Sequence, residues 1–183
     1  MKIIHTPLPG LCLLESPVHE DHRGRFERAY CEQAMSGLAP QRHIAQANLS
    51  TTIGRGSLRG LHYQASPALE AKLVRCLAGR VFDVAVDLRS GSPTFLQWHG
   101  VELSEDVPRA LYIPEGFAHG FQVLSDRAQL LYLHTAAWNA ECEGGLRHDD
   151  PALGIRWPLP VGTISERDLR HPLLDAAFTG IST

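Results

Sequence analysis

Two histidines sit in glycine-flanked, strand-like stretches: His62 in RGLHYQ (59–64) and His119 in PEGFAHGF (114–121). An imidazole titrates near neutrality, so each could be a general base, a metal ligand or a satisfied core residue. A zinc or iron centre needs about three to four protein ligands. Around His62 the supply is short. Gln64 stands where a second imidazole would serve, and Glu70 falls further on in a turn-like stretch. No metal is expected. Lys72 is the next candidate. The chain has 15 arginines and only two lysines, Lys2 and Lys72, and a lysine's compact, tunable charge is not interchangeable with arginine's. Tyr132 in LLYLHT could act as a general acid or be an ordinary strand tyrosine. Asp168 in SERD could orient a histidine by accepting its Nδ1–H, or cap a helix, or lie solvated. Asp83 is a second candidate partner for His62. Arg23, Arg59, Lys72 and His119 could open to one cavity and hold an anion, since guanidinium forks match phosphate oxygens. The alternative for the two arginines is pairing with surface carboxylates.

Short strands must position these residues. KLVRCLAGRVFDVAVDLR (72–89) reads as two strands about AGR. In the second, Phe82, Val84, Val86 and Leu88 fall on one face and Asp83, Ala85, Asp87 and Arg89 on the other, a strict period of two. HIAQANLSTT, FLQWHGVEL and AQLLYLHTAAW read as strands, and ALYIPEGFAHGFQVLS as two strands about Pro-Glu-Gly. CEQAMSGL suggests a short helix ended by Gly37. Residues 149–174 read as loop and turn with one helical turn. There is no repeat, linker or low-complexity stretch. The 16 glycines and 12 prolines, spread along 183 residues, favour many short strands over long helices. The expectation is a single all-β domain over residues 1–183, a jelly roll or small β-barrel with short peripheral helices, able to enclose one small ligand.

Charge and cysteine usage narrow the classes. A net charge of −3 gives no footing for generic nucleic-acid binding. Cys12, Cys31, Cys76 and Cys142 lie far apart with no C-x-x-C, as expected of reduced, buried residues. MKIIHTPLPG lacks the apolar run of a signal peptide, and no stretch approaches a membrane span. The expectation is a soluble cytoplasmic protein.

PEGFAHGF contains P-x-G-x-x-H (Pro114, Gly116, His119), the second signature of the cupin jelly roll; the first signature's H-x-H here reads HYQ. Beyond this, DHRGRF, QANLS, LRGLHYQ, AKLVRCLAGRVFDVAVDLRSGSPTFLQW, YIPEGFAHGFQVLSD, LLY, DDPALGIRWP and SERD together run along almost the whole chain. In these stretches the sequence closely resembles the dTDP-4-dehydrorhamnose 3,5-epimerases of deoxysugar biosynthesis. The resemblance implies a metal-free cupin jelly roll without a cofactor, a homodimer, and a nucleotide-diphosphate 4-keto-6-deoxy sugar as substrate. It implies His62 as base, paired with Asp168, and Tyr132 as acid on the opposite face of the sugar. It places Lys72 to stabilise the enolate oxygen, with Arg59 and His119 in the active site. Arg23, Gln46 and Asn48 fall where the family contacts nucleotide or sugar.

One position departs from the pattern. Many family members carry a second tyrosine six residues after the acid; this chain has Trp138. An indole N–H only donates. The exchange could alter substrate preference or restrict epimerisation to one carbon. Two further rivals are a metal-dependent cupin oxygenase or isomerase, and a sugar-nucleotide-binding module without catalysis.

Overall fold

In a computed structural model, residues 1–38 and 43–183 are described. Thirteen strands and two short helices account for the regular structure among them. In chain order the strands are β1 (Lys2–His5), β2 (Cys12–Glu15), β3 (Val18–Asp21), β4 (Gly24–Glu27), β5 (Gln46–Ile53), β6 (Leu58–Gln64), β7 (Lys72–Ala78), β8 (Arg80–Asp87), β9 (Trp98–Ser104), β10 (Arg109–Ile113), β11 (Phe117–Val123), β12 (Arg127–His134) and β13 (Glu143–Gly145). The helices are α1 (Glu32–Ser36) and α2 (Glu166–Leu169).

One six-stranded sheet runs β1-β2-β10-β7-β12-β5, a five-stranded sheet runs β13-β6-β11-β8-β9, and β3 and β4 form a separate hairpin. All strand pairings within them are antiparallel. This is the all-β jelly roll expected from the turn-punctuated sequence, of the cupin type that the resemblance implies. Side chains alternate across each strand, so every second residue enters the space between the sheets. Val74 and Cys76 of β7, Leu111 and Ile113 of β10 and Leu130 of β12 meet Val81, Ala85, Leu103, Phe117 and Phe121 from the other sheet there. Each such Val, Leu, Ile or Phe side chain stabilises the fold by about 1.5–3 kcal/mol relative to exposure.

The alternation in β8 is as read, and its orientation is informative. Phe82, Val84, Val86 and Leu88 point away from the barrel and are covered by later chain, including Leu153, Trp157, Phe178 and Ile181. The opposite face carries Ala85 into the central core, and on it Asp83 and Asp87 are fully buried. The polar face is therefore the inner one. Burying a carboxylate is unfavourable unless it is paired, so these aspartates mark sites with dedicated partners.

Local chemistry sets several turns. Gly79 (φ +74°) closes the β7–β8 hairpin, where a Cβ would fall 2.0 Å from the Arg127 carbonyl oxygen. Strand β9 begins at Trp98, not at Phe95 as the apolar pattern suggests. Leu96 has φ +62°, and Leu96 N–H donates to Asp87 O while Gln97 N–H turns back to Thr94 O. Strand β12 likewise stops at His134, leaving Trp138 on the following loop. The short helix α1 ends at Gly37 as read.

Candidate active site

The apolar filling occupies only part of the barrel interior. Along β12 the inward face runs Ala128, Leu130, Tyr132, His134, and along β7 it runs Cys76, Val74, Lys72. Both strands change from apolar to polar at the same end. Register pairs Tyr132 with Asn48 and His134 with Gln46, so β5 extends this polar wall. The facing wall comes from β6 and β11, where His62 pairs with His119. Between the walls lies a cleft of about 290 Å³.

Eight of the ten expected site residues line this cleft: Gln46, Asn48, Arg59, His62, Lys72, His119, Tyr132 and Trp138. Asp168 reaches it through His62. Arg23 does not reach it within one chain. It sits at the tip of the β3–β4 hairpin, 78% exposed in its side chain, and pairs with Asp21 at 2.6 Å.

His62 Nε2 donates to Asp168 Oδ1 at 2.8 Å, and Gly60 N–H donates to Asp168 Oδ2 at 3.1 Å. The expected histidine–carboxylate pair thus forms through Nε2 and not through Nδ1. Nδ1 remains the nitrogen with a lone pair for an incoming proton. Asp168 is buried at the start of α2, and its own N–H donates to Ser165 Oγ at 3.1 Å. Burial works to raise its pKa, but the hydrogen bond and charge of His62 and the Gly60 N–H prevail and hold it lowered. Gly60 has φ +111°, and a Cβ there would lie 2.6 Å from the Gly120 Cα. The close passage of β6 over β11 and the amide that anchors Asp168 therefore depend on the same glycine.

Asp83 partners His119, not His62, with Nε2 donating to Oδ1 at 2.8 Å. The Tyr132 ring meets the His119 ring edge-on at 5.8 Å. Desolvation first, then the charge of Asp83, pushes the Tyr132 phenol well above its ordinary pKa, against a smaller opposing pull from Arg59. Tyr132 therefore holds its proton at neutral pH. Lys72 Nζ lies 3.0 Å from Glu70 Oε1, and Arg59 Nε donates to Thr52 Oγ1 at 2.8 Å.

Trp138 stands at the rim, 58% exposed. Its indole N–H donates to Glu143 Oε2 at 3.0 Å, its backbone N–H donates to Gln46 Oε1 at 3.1 Å, and Glu143 also pairs with Arg167 at 2.6 Å. Gln64, at the place of a second metal-binding histidine, is committed to backbone. Its amide donates to Ala68 O at 3.0 Å and accepts from Asn139 N–H at 2.6 Å. Among the described residues, one group has ligand-type atoms within 4.8 Å of each other, namely His62, Asp168 and His171. It draws on the carboxylate that already orients His62.

The profile of the dTDP-4-dehydrorhamnose 3,5-epimerases matches residues 5–176. The chain belongs to that family. It is 43% identical over 179 residues to the dTDP-4-dehydrorhamnose 3,5-epimerase of Salmonella typhimurium, covering 97% of this chain and 98% of that protein. A dTDP-6-deoxy-D-glucose-3,5-epimerase from Legionella pneumophila, solved with dTDP-4-keto-L-rhamnose, superposes with a TM-score of 0.92 at 41% identity, covering 100% of this chain and 98% of that one. A 3′-monoepimerase from Streptomyces bikiniensis, solved with dTDP-quinovose, gives 0.85 at 34% identity, covering 93% and 86%.

Three ionisable residues that line this cleft are not marked as site residues by the sequence alone. Glu70 falls in a turn-like stretch of the sequence, yet its side chain is buried on the cleft between Lys72 and His134. His134 and Glu143 belong to no motif that the sequence displays. The available signal was register: His134 lies two residues beyond Tyr132 on one strand, so it shares the inner face. Nothing local in ECEGG marked Glu143.

Proposed function

We propose that this protein epimerises C3 and C5 of a dTDP-4-keto-6-deoxyhexose through an enolate, feeding dTDP-L-rhamnose or related deoxysugar synthesis. One observation carries the reading. His62 enters the cleft from the five-stranded sheet and Tyr132 from the six-stranded sheet, with Lys72 beside Tyr132's strand. A base and an acid therefore face a bound sugar from opposite walls, as inversion at carbon requires. The C4 ketone acidifies the protons on C3 and C5. His62 Nδ1 takes one, and the C–H electron pair moves into an enolate whose oxygen carries the charge. The Lys72 ammonium is the cation suited to that oxygen. Tyr132 then delivers its proton to the other face of the carbon and is restored from solvent, while His62 returns its proton to solvent.

Arg59 and His119 extend the polar lining toward the sugar, and Gln46 and Asn48 are suited to hydrogen bonds with sugar or nucleotide. The chain acts as one domain over residues 1–183 in this reading, as a homodimer in the cytoplasm and without a cofactor. The exposed hairpin supports the dimer. Phe26 is 73% exposed and lines the same surface hollow as Arg23, and an aromatic ring with a guanidinium nearby would suit the nucleotide end of a substrate held by a second copy. Four unbridged cysteines suit a reducing compartment.

A second reading, epimerisation at one carbon, is favoured by Trp138, whose indole is held at the rim by Glu143. Incubation with dTDP-4-keto-6-deoxyglucose in D2O, followed by proton NMR and mass, separates the two. Deuterium at C3 and C5 supports the double epimerase. Deuterium at one carbon replaces it with the second reading. No incorporation despite binding overturns both.

A further inference from the structure

Lys72 is a flexible four-carbon chain ending in a point charge, so its usefulness to an enolate depends on what fixes it. The fixing group is Glu70, on the loop before β7. Its two carboxylate oxygens are divided between two partners: Oε1 lies 3.0 Å from Lys72 Nζ, and Oε2 lies 2.7 Å from His134 Nδ1. All three side chains are nearly buried, at 10% exposure for Lys72, 8% for Glu70 and 12% for His134. An ionised carboxylate only accepts, so His134 Nδ1 carries the donated proton. The other ring nitrogen, Nε2, then accepts from Asn48 Nδ2 at 3.4 Å. The His134 ring also stacks on Tyr132, with centroids 5.9 Å apart and planes 16° from parallel. One imidazole thus touches the acid, the carboxylate that holds the lysine, and an amide of the cleft wall.

We propose that Glu70 and His134 are positioning residues for the epimerisation, holding Lys72 Nζ at the enolate oxygen through a His134–Glu70–Lys72 chain. The inference rests on the epimerase reading and deepens it. A salt bridge kept only for stability would change melting behaviour and leave turnover alone. A positioning chain changes kcat, and only while Lys72 is present to be positioned.

The test is a double-mutant cycle read by deuterium exchange into dTDP-4-keto-6-deoxyglucose, using the full chain. Glu70→Gln is expected to lower kcat about ten- to hundredfold with KM within about twofold, the scale of misplacing one reacting group. Placed in a Lys72→Ala background, the same change is expected to cost nothing further. Undiminished kcat in Glu70→Gln, or an equal loss in both backgrounds, overturns the proposal. If Glu70→Gln does not fold, His134 carries the test. His134→Gln keeps a donor for Glu70 and should retain most turnover, His134→Leu should lose it, and equal kcat in the two overturns the proposal. Wild-type protein that exchanges no deuterium brings down the epimerase reading itself; wild-type exchange with unaffected variants brings down this inference alone.

Discussion

Two histidine–aspartate pairs stand side by side on the same wall of the barrel, and they are nearly identical in geometry. His62 with Asp168 and His119 with Asp83 each join Nε2 to Oδ1 at 2.8 Å. They differ in access and in what the second carboxylate oxygen does. The His62 side chain is 31% exposed to the cleft, while His119 is 5% exposed and Asp83 not at all. Asp168 Oδ2 receives the Gly60 amide, whereas Asp83 Oδ2 is buried without a hydrogen-bond partner. The difference teaches that the pair itself does not make a base. A base needs a free nitrogen that a substrate can reach and a carboxylate whose orientation is fixed independently of it. The second pair, deep and half-satisfied, adds Asp83's negative charge to the burial that chiefly raises the Tyr132 phenol, and so helps keep that phenol protonated.

The comparison breaks most visibly at His62. His62→Ala should lower kcat by about 10³- to 10⁴-fold, the upper range for general acid–base catalysis, with a smaller loss of stability than at the inner pair, because His62 is partly exposed and Asp168 keeps the Gly60 N–H. Steady-state rates and a thermal melt check this together. Asp83→Ala should behave in the opposite manner. Removing one partner of a buried pair costs about 3–5 kcal/mol of stability, to be read from urea denaturation. A stable Asp83→Ala protein would show that the inner pair is not the structural one. Lys72→Ala should reduce turnover by an amount equivalent to about 2.7–4 kcal/mol, the worth of one oxyanion-stabilising donor.

A third carboxylate sharpens the contrast. Asp87 has no histidine. Burial would raise its pKa, but hydrogen bonds from Arg89, Ser92 and Thr94 overcome this and bring it to about 2. A pKa lowered in the folded state contributes stability that is present above the unfolded value near 4 and lost as pH falls toward 2. The size is about 2 kcal/mol. Acid unfolding of wild type should therefore be steeper between about pH 4 and pH 2 than that of Asp87→Asn. Equal slopes would remove Asp87 from the acid response.

Most of the site was legible because strand alternation and glycine turns are local signals. Period two in residues 82–89 pointed to β8, and the resemblance over the quoted stretches pointed to His62, Asp168, Tyr132 and Lys72, which the fold gathers at one cleft. What was not legible came from pairing between distant segments. Asp83 and Asp168 compete on paper for His62, and only the β8–β11 register, which sets Ala85 against His119, gives Asp83 to the inner histidine. Glu70 reads as a turn residue until the fold packs it beside His134, 64 positions away. The inner, polar face of β8 could equally have been solvent-facing, because alternation defines two faces without saying which one is covered. The chain that covers the apolar face lies about 70–100 residues further on.

The central claim is that His62 alone of the two histidines abstracts the proton. The most direct test is exchange with D2O in His62→Asn, using dTDP-4-keto-6-deoxyglucose and confirming by equilibrium dialysis that the sugar nucleotide still binds. No deuterium at C3 or C5 over many wild-type turnover times is the predicted result. Exchange at a rate near wild type, with binding intact, would assign the base elsewhere and contradict the account.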